Sequence, residues 1–300
     1  MTQAIRTEAL TKYYGKRRGL DGLDLEVDAG EVYGFLGPNG AGKTTTIRLL
    51  LDVIRPTSGH AAVLDLDPRR DGVELRRRVG YLPGDFVVEG RQTSGQLLDH
   101  LAAIRGGVDP GYATDLIERL DLDPSVLIRS LSKGNRQKVG LIQAFMHQPE
   151  LLILDEPTSG LDPLVQREFH AMVAEAVSAG RTVFMSSHVL SEVQTIATRA
   201  GIIRDGRLVA VDRVETLREK SLRRIEVVFD ESVAATEFEI DGVEALAVEG
   251  NRLTCRLQGR ADALIKAIAR HPVVSIESEE QDLEELFFAY YLDEEAADVT

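Results

Sequence analysis

Apolar and polar positions alternate near the start of the chain, which predicts short strands over residues 5–10 and 23–27 on either side of a glycine-rich turn region. Residues 31–36 form a compact apolar run, suited to a strand buried on both faces. A glycine-rich turn follows, and residues 44–54 then carry helical periodicity that stops at Pro56. Residues 86–148 read as mainly helical, with Leu97, Leu98 and Leu101 on one face and Leu116, Ile117 and Leu120 on another. A second buried strand is expected at 151–154, a helix at 165–178, a strand at 182–185, a short helix at 190–198 and a hairpin around Asp205 and Gly206. Strands that alternate with helices predict an α/β fold with a mostly parallel sheet and right-handed connections.

The texture changes near residue 221. Strands are expected at 225–229, 237–240, 245–248, 253–257 and 273–276, with helices at 261–269 and 282–292. In the last helix Leu283, Leu286, Phe287, Tyr290 and Tyr291 fall on one stripe, the pattern of a core-facing surface. The expected organisation is a domain over 1–220, with a helical subdomain at about 86–148, and a small α+β domain over 221–300.

Charge sharpens that boundary. The formal net charge is −14, and residues 221–300 carry 7 Lys and Arg against 19 Asp and Glu, a net of −12 that leaves −2 for residues 1–220. So acidic a C-terminal region argues against broad nucleic-acid binding. The basic clusters Lys16-Arg17-Arg18 and Arg76-Arg77-Arg78 read as solvated surface. With 43% hydrophobic and 28% charged residues the composition is that of a globular protein. No apolar run reaches the roughly 18 residues a membrane span needs, and Arg6, Glu8 and Lys12 interrupt any N-terminal signal region. The single cysteine, Cys255, sits in an alternating run and reads as buried filler, consistent with a reducing compartment.

Two stretches carry chemistry. Gly37-Pro38-Asn39-Gly40-Ala41-Gly42-Lys43-Thr44, followed by Thr45, matches the phosphate-binding pattern G-x-x-x-x-G-K-[ST] between a strand and a helix. Its glycines let successive N–H groups face phosphate oxygens, and the helix adds its positive end. Lys43 is placed to reach the β- and γ-phosphates, and the Thr44 hydroxyl to ligate Mg²⁺. Further along, Leu151-Leu152-Ile153-Leu154 delivers Asp155 and Glu156 to a strand end. There Asp155 suits Mg²⁺, and Glu156 suits orienting or deprotonating the attacking water.

Leu131-Ser132-Lys133-Gly134-Asn135-Arg136-Gln137 lies ahead of that strand, with Ser132 standing 23 positions before Asp155. It resembles the signature loop of ABC ATPases, and Asp155 to Pro163, DEPTSGLDP, resembles their Walker B and D-loop segments. The resemblance covers about residues 4–220 and implies a P-loop NTPase (RecA-like) core with antiparallel β and helical subdomains. It also implies that Ser132 and the Gly134 N–H grip the γ-phosphate of ATP bound to a second ATP-binding subunit, identical or paralogous. By the same matching Tyr14 resembles the aromatic that stacks on adenine, with Tyr13 as the alternative. His188 resembles the switch histidine at the γ-phosphate, and Asp162 the D-loop aspartate that links the two sites. Three positions, in two segments, depart from the family pattern. Lys133 and Asn135 replace the usual Gly and Gln of the signature, and Gly84 stands where the Q-loop offers glutamine. Asp85 is the candidate replacement ligand, with a water as the alternative.

The resemblance implies an ATPase subunit of an exporter, using ATP and Mg²⁺ at the cytoplasmic face of the membrane, with a separate transmembrane permease whose cytoplasmic helix meets the 86–130 region. Asp282-Leu283-Glu284-Glu285-Leu286-Phe287 resembles the tail domain of ABC-2 type drug and antibiotic exporters. The competing expectation is a soluble ABC protein acting on ribosomes or nucleic acid. A single phosphate loop, the lack of a long heptad insertion and the acidic C-terminal region count against it.

Overall fold

The structure, a computed structural model, describes residues 2–220 and 222–280. The chain divides into two compact units, residues 1–188 with 195–211, and residues 189–194 with 212–300. The helix expected at 282–292, with its apolar stripe and the motif starting at Asp282, lies outside the described residues.

In the first unit β1 (Gln3–Tyr14) and β2 (Arg17–Asp28) form a long antiparallel hairpin, followed by β3 (Val32–Leu36) and α1 (Lys43–Leu50). Next come β4 (Ser58–Val63), α2 (Gly72–Arg78) and β5 (Val79–Leu82). Three helices, α3 (Ser94–Ile104), α4 (Pro110–Arg119) and α5 (Lys133–Phe145), occupy the stretch expected to be mainly helical. Then β6 (Leu151–Asp155), α6 (Pro163–Ser178), β7 (Thr182–Ser187), β8 (Arg199–Arg204) and most of β9 (Arg207–Arg213) complete it, while α7 (Leu190–Ile196), between β7 and β8 in the chain, belongs mostly to the second unit.

Two sheets result. One is antiparallel in the order β2-β1-β4; the other runs β5-β6-β7-β3-β8-β9, with every pair from β5 to β8 parallel. β3, β6 and β7 are buried along their whole length, as the unbroken apolar runs at 151–154 and 183–185 require, and the buried polar Asp155 and Ser186 stand at the strand ends. The core lies between the sheets, where Ile47 and Leu50 of α1 meet Leu20, Leu23 and Leu25 of β2 and Ile153 of β6. Phe184 of β7 packs against Tyr33 and Phe35 of β3, with ring centroids 5.9 and 5.3 Å apart. This packing brings the C-terminal ends of β3, β6 and β7 side by side, and the chemistry-bearing residues stand there.

The second unit contains α8 (Val214–Lys220), β10 (Leu222–Phe229), β11 (Val243–Glu249), β12 (Arg252–Gln258), α9 (Asp262–Ile268) and β13 (Val273–Glu280). Its sheet is antiparallel in the order β11-β12-β10-β13. Ile225, Val227 and Phe229 share a core with Leu253, Cys255, Leu257 and Leu264, so Cys255 is the buried filler its alternating run predicted. The strand expected at 237–240 is absent: residues Ala235–Phe238 form a 3₁₀ turn. Phe238 alone of that run is fully buried, stacked on Phe229 with centroids 5.6 Å apart, and one anchor side chain suits a turn as well as it suits a strand. β4, β5, α2 and α8 carried no expectation from sequence.

Candidate active site

The glycine-rich loop leaves β3 at Leu36 and enters α1 at Lys43. Gly42 caps that helix with φ 117°, a left-handed conformation, and a Cβ there would lie 2.9 Å from the Gly19 carbonyl oxygen. No other residue fits the turn that aims the loop amides and the helix start into one space. That space is a cavity of about 490 Å³ walled by Tyr14, Arg17, Arg18, Asn39, Gly40, Lys43, Thr44, Thr45 and Glu156. Pro38 and Ala41 shape the loop from within it: Pro38 O accepts from Ala41 N at 3.2 Å, and Ala41 is buried.

Lys43 is only 5% exposed. Its Nζ donates to the carbonyls of Gly37 (2.6 Å) and Pro38 (3.3 Å) and lies 3.5 Å from Glu156 Oε1. Burial pulls its pKa below the ordinary lysine range, and the Glu156 and Asp155 carboxylates oppose that shift. The cation is thereby held at the loop, among acceptors that an anionic phosphate can replace.

β6 ends on Asp155, at 1% exposure. Thr44 Oγ1 donates to Asp155 Oδ2 at 2.8 Å, so the two oxygens expected to hold a metal are already adjacent. Among the described residues no cluster of three or more His, Cys, Asp or Glu side chains could hold a metal by itself. A hydroxyl and one carboxylate suit Mg²⁺, a hard cation usually bound through one or two carboxylates plus substrate phosphates. Glu156, the next residue, is 26% exposed at its side chain, and His188 Nδ1 lies 3.3 Å from its Oε1. Lys43 and His188 thus converge on one carboxylate oxygen of Glu156, although 113 and 32 positions separate them from it in the chain.

Tyr14 is 45% exposed at the end of β1, with Lys12 Nζ 5.2 Å from its ring centroid, while Tyr13 does not line the cavity. Arg17 and Arg18, read from sequence as plain solvated surface, stand in the cavity wall. None of Leu131, Ser132, Lys133, Gly134 and Asn135 lines the cavity. Ser132 caps α5 by accepting from Asn135 N at 3.1 Å, and Lys133 Nζ reaches Ser159 Oγ at 3.4 Å. Asp162 caps α6, accepting from the N–H groups of Leu164 and Val165 at 3.0 and 3.1 Å. Those two bonds hold its carboxyl below the usual carboxylate range. Asp85 is exposed and outside the cavity wall, and the residue against Asp155 is Gly84, whose Cβ would stand 3.1 Å from Asp155 Oδ2.

Two supporting residues were assigned no role from sequence, although Gln137 closes the stretch that resembles the signature loop. Ser186 Oγ donates to Asp155 Oδ1 at 2.5 Å, and buried Gln137 Nε2 donates to the carbonyls of Glu156 (3.3 Å) and Pro157 (3.0 Å). Strand register, had it been known, would have paired Ser186 with Asp155.

A family model described as ABC transporter matches residues 20–159. The bacitracin transport ATP-binding protein BcrA of Bacillus licheniformis is 37% identical over 232 residues, covering 75% of this chain and 75% of its own length. A daunorubicin resistance ATP-binding protein of Streptomyces coeruleorubidus is 34% identical over 290 residues, covering 92% of this chain and 90% of its own. A solved ATP-binding subunit of an ABC transporter superposes with a TM-score of 0.66 at 28% identity, over 72% of this chain and 92% of that one.

Proposed function

The chain belongs to the ABC transporter family, in its ATP-hydrolysing, ATP-binding class, and from that premise we propose that it drives an exporter whose channel is a separate membrane permease. The observation that carries this reading is the meeting of Lys43 and His188 at the Glu156 carboxylate, which lines the cavity beside the Thr44–Asp155 pair, while the signature loop lies outside the cavity wall on the same chain. One chain presents half of two sites. A second ATP-binding subunit, identical or paralogous, supplies Ser132 and Gly134 to the γ-phosphate, and Asp162 at the head of α6 links the halves.

The residues divide the work of hydrolysis. The loop amides and Lys43 bind the β- and γ-phosphates and offset their growing charge. Tyr14 offers a ring face to the adenine. Thr44 and Asp155 would hold Mg²⁺, which supplies charge neutralisation between the phosphates when bound. Glu156 orients a water for in-line attack and takes its proton, and His188 hydrogen-bonds the γ-phosphate and fixes the Glu156 carboxylate.

No helix among the described residues is long and apolar enough to cross a membrane. The separate permease is the partner to which we assign the transmembrane path, in keeping with relatives named as ATP-binding proteins of bacitracin transport and daunorubicin resistance. The subunit works at the cytoplasmic face, where ATP is available. Relatives named for bacitracin transport and daunorubicin resistance favour an antibiotic or drug-like cargo. Affinity purification of the full chain from detergent-solubilised membranes tests the assignment. A multi-span protein should co-purify in stoichiometric amount; ribosomes or nucleic acid in its place would overturn the exporter reading for the soluble alternative.

A further inference from the structure

β6 and β7 run parallel with Asp155 opposite Ser186, which sets a serine hydroxyl beside the acidic end of the strand. Ser186 is fully buried. Its hydroxyl donates to Asp155 Oδ1 at 2.5 Å and accepts the Glu156 N–H at 3.1 Å. The same N–H also lies 3.2 Å from the Ser186 carbonyl oxygen. Asp155 therefore has one oxygen on Ser186 and the other on Thr44, a geometry that fixes the plane of its carboxylate.

The next residue shows why such a tie is needed. Glu156 has φ 50°, in the left-handed region that a non-glycine residue keeps only when its surroundings over-determine it. Gln137 grips its carbonyl from α5, and Ser186 grips its amide from β7. Gln137 touches backbone alone, whereas the Ser186 hydroxyl touches both the backbone of Glu156 and the working carboxylate of Asp155.

We propose that Ser186 is a positioning residue for ATP hydrolysis: its hydroxyl ties the Asp155 carboxylate to the Glu156 backbone, so that the metal-holding oxygen and the water-directing carboxylate keep one spacing. This rests on the roles given above to Asp155 and Glu156. Without the hydroxyl, Asp155 Oδ1 loses its donor in a place that solvent barely reaches, and the carboxylate turns toward whatever donor remains. The Glu156 N–H keeps the Ser186 carbonyl, so the loop itself survives the change.

The test uses the full chain with Ser186→Ala and Ser186→Thr. Affinity for a non-hydrolysable ATP analogue is measured with EDTA and with Mg²⁺, beside kcat for ATP and the melting temperature. Loss of an outer-shell partner typically lowers metal affinity or activity by about 10–100-fold. Ser186→Ala should keep the EDTA affinity and the melting temperature, and lose about tenfold both in the Mg²⁺-linked gain of affinity and in kcat. Ser186→Thr, which keeps the oxygen, should recover both. An unchanged Mg²⁺-linked gain and kcat in Ser186→Ala would overturn the proposal. So would an EDTA affinity that falls in step with the melting temperature, since that marks a structural role only. The alanine arm decides unaided, because it removes a single oxygen and adds no bulk. If the native chain itself neither binds nor turns over ATP, it is the functional reading beneath the proposal that fails.

Discussion

Gly84→Ala tests whether the site is built around the absence of a side chain at that position. Gly84 does not have a left-handed backbone, so alanine is conformationally acceptable. By narrowing the unfolded ensemble it should add about 0.4–1 kcal/mol of stability. The added Cβ would nevertheless lie 3.1 Å from Asp155 Oδ2 and 3.2 Å from its Cγ, so the carboxylate must give way by a few tenths of an ångström. That carboxylate is pinned by Thr44 at 2.8 Å and by Ser186 at 2.5 Å. Giving up one hydrogen bond to a charged group costs about 1.5–3 kcal/mol. Since about 1.4 kcal/mol is tenfold in rate, kcat should fall about 10–100-fold. Steady-state ATP hydrolysis at saturating nucleotide reads the effect; the lost hydrogen bond, net of the stability gained, should also lower the melting temperature by about a few degrees, while ATP affinity in EDTA should stay near native. Gly84→Gln, which restores the family's usual residue, carries the same Cβ and should lose activity as well. Native or faster turnover in either variant would refute the close-packing argument.

Three further outcomes are expected. Glu156→Gln should bind ATP yet hydrolyse it about 10²–10⁴-fold more slowly, the usual worth of a general base, and should accumulate as a nucleotide-locked dimer on size exclusion; undiminished ATPase would show that Glu156 is not the base. Lys43→Ala should weaken ATP binding by about 10–100-fold, the worth of a charge-assisted hydrogen bond, as read by titration calorimetry, and normal affinity would remove the phosphate-loop assignment. His147 supplies a pH test: burial, then the Arg105 guanidinium 2.8 Å from its Nε2, push its pKa down to about 4 from the usual 6.5. Between those values the unfolded chain binds a proton that the folded chain refuses, so stability falls as pH drops from 6.5 toward about 4. His147→Gln should flatten the melting-temperature profile across that window, and an unaltered slope would show that this histidine is not the group responsible.

The glycine-rich loop between strand and helix and the acid pair at a strand end were legible in the sequence because each is contiguous. Residues 37–44 contain their own turn, and the Leu151–Asp155 strand contains its own apolar run, so neither needs a distant partner to be recognised. The parallel sheet was legible for the same reason, through unbroken apolar runs. What sequence could not supply were contacts set by strand register and loop path. Ser186 against Asp155 spans 31 positions, Gln137 against Glu156 spans 19, and Gly84 against Asp155 depends on where the loop after β5 turns. β5 itself, only four residues long and rich in small and apolar side chains, has no periodicity to announce it. The mistaken strand at 237–240 has the opposite cause. Glu-Phe-Glu-Ile alternates well enough for a strand, yet a single buried phenylalanine satisfies it as a 3₁₀ turn. Arg17 and Arg18 reach the cavity because the β1–β2 hairpin sets Arg17 opposite Tyr14.

The central claim is that each nucleotide is enclosed by two subunits, one giving Lys43 and Glu156 and the other giving Ser132 and Gly134. The most direct measurement is ATP turnover per chain across a wide dilution series, at saturating Mg²⁺ and ATP, with association followed by light scattering. Turnover per chain should collapse as paired subunits give way to single ones, and recover on concentration. A constant rate per chain down to concentrations where only monomers exist would contradict the account.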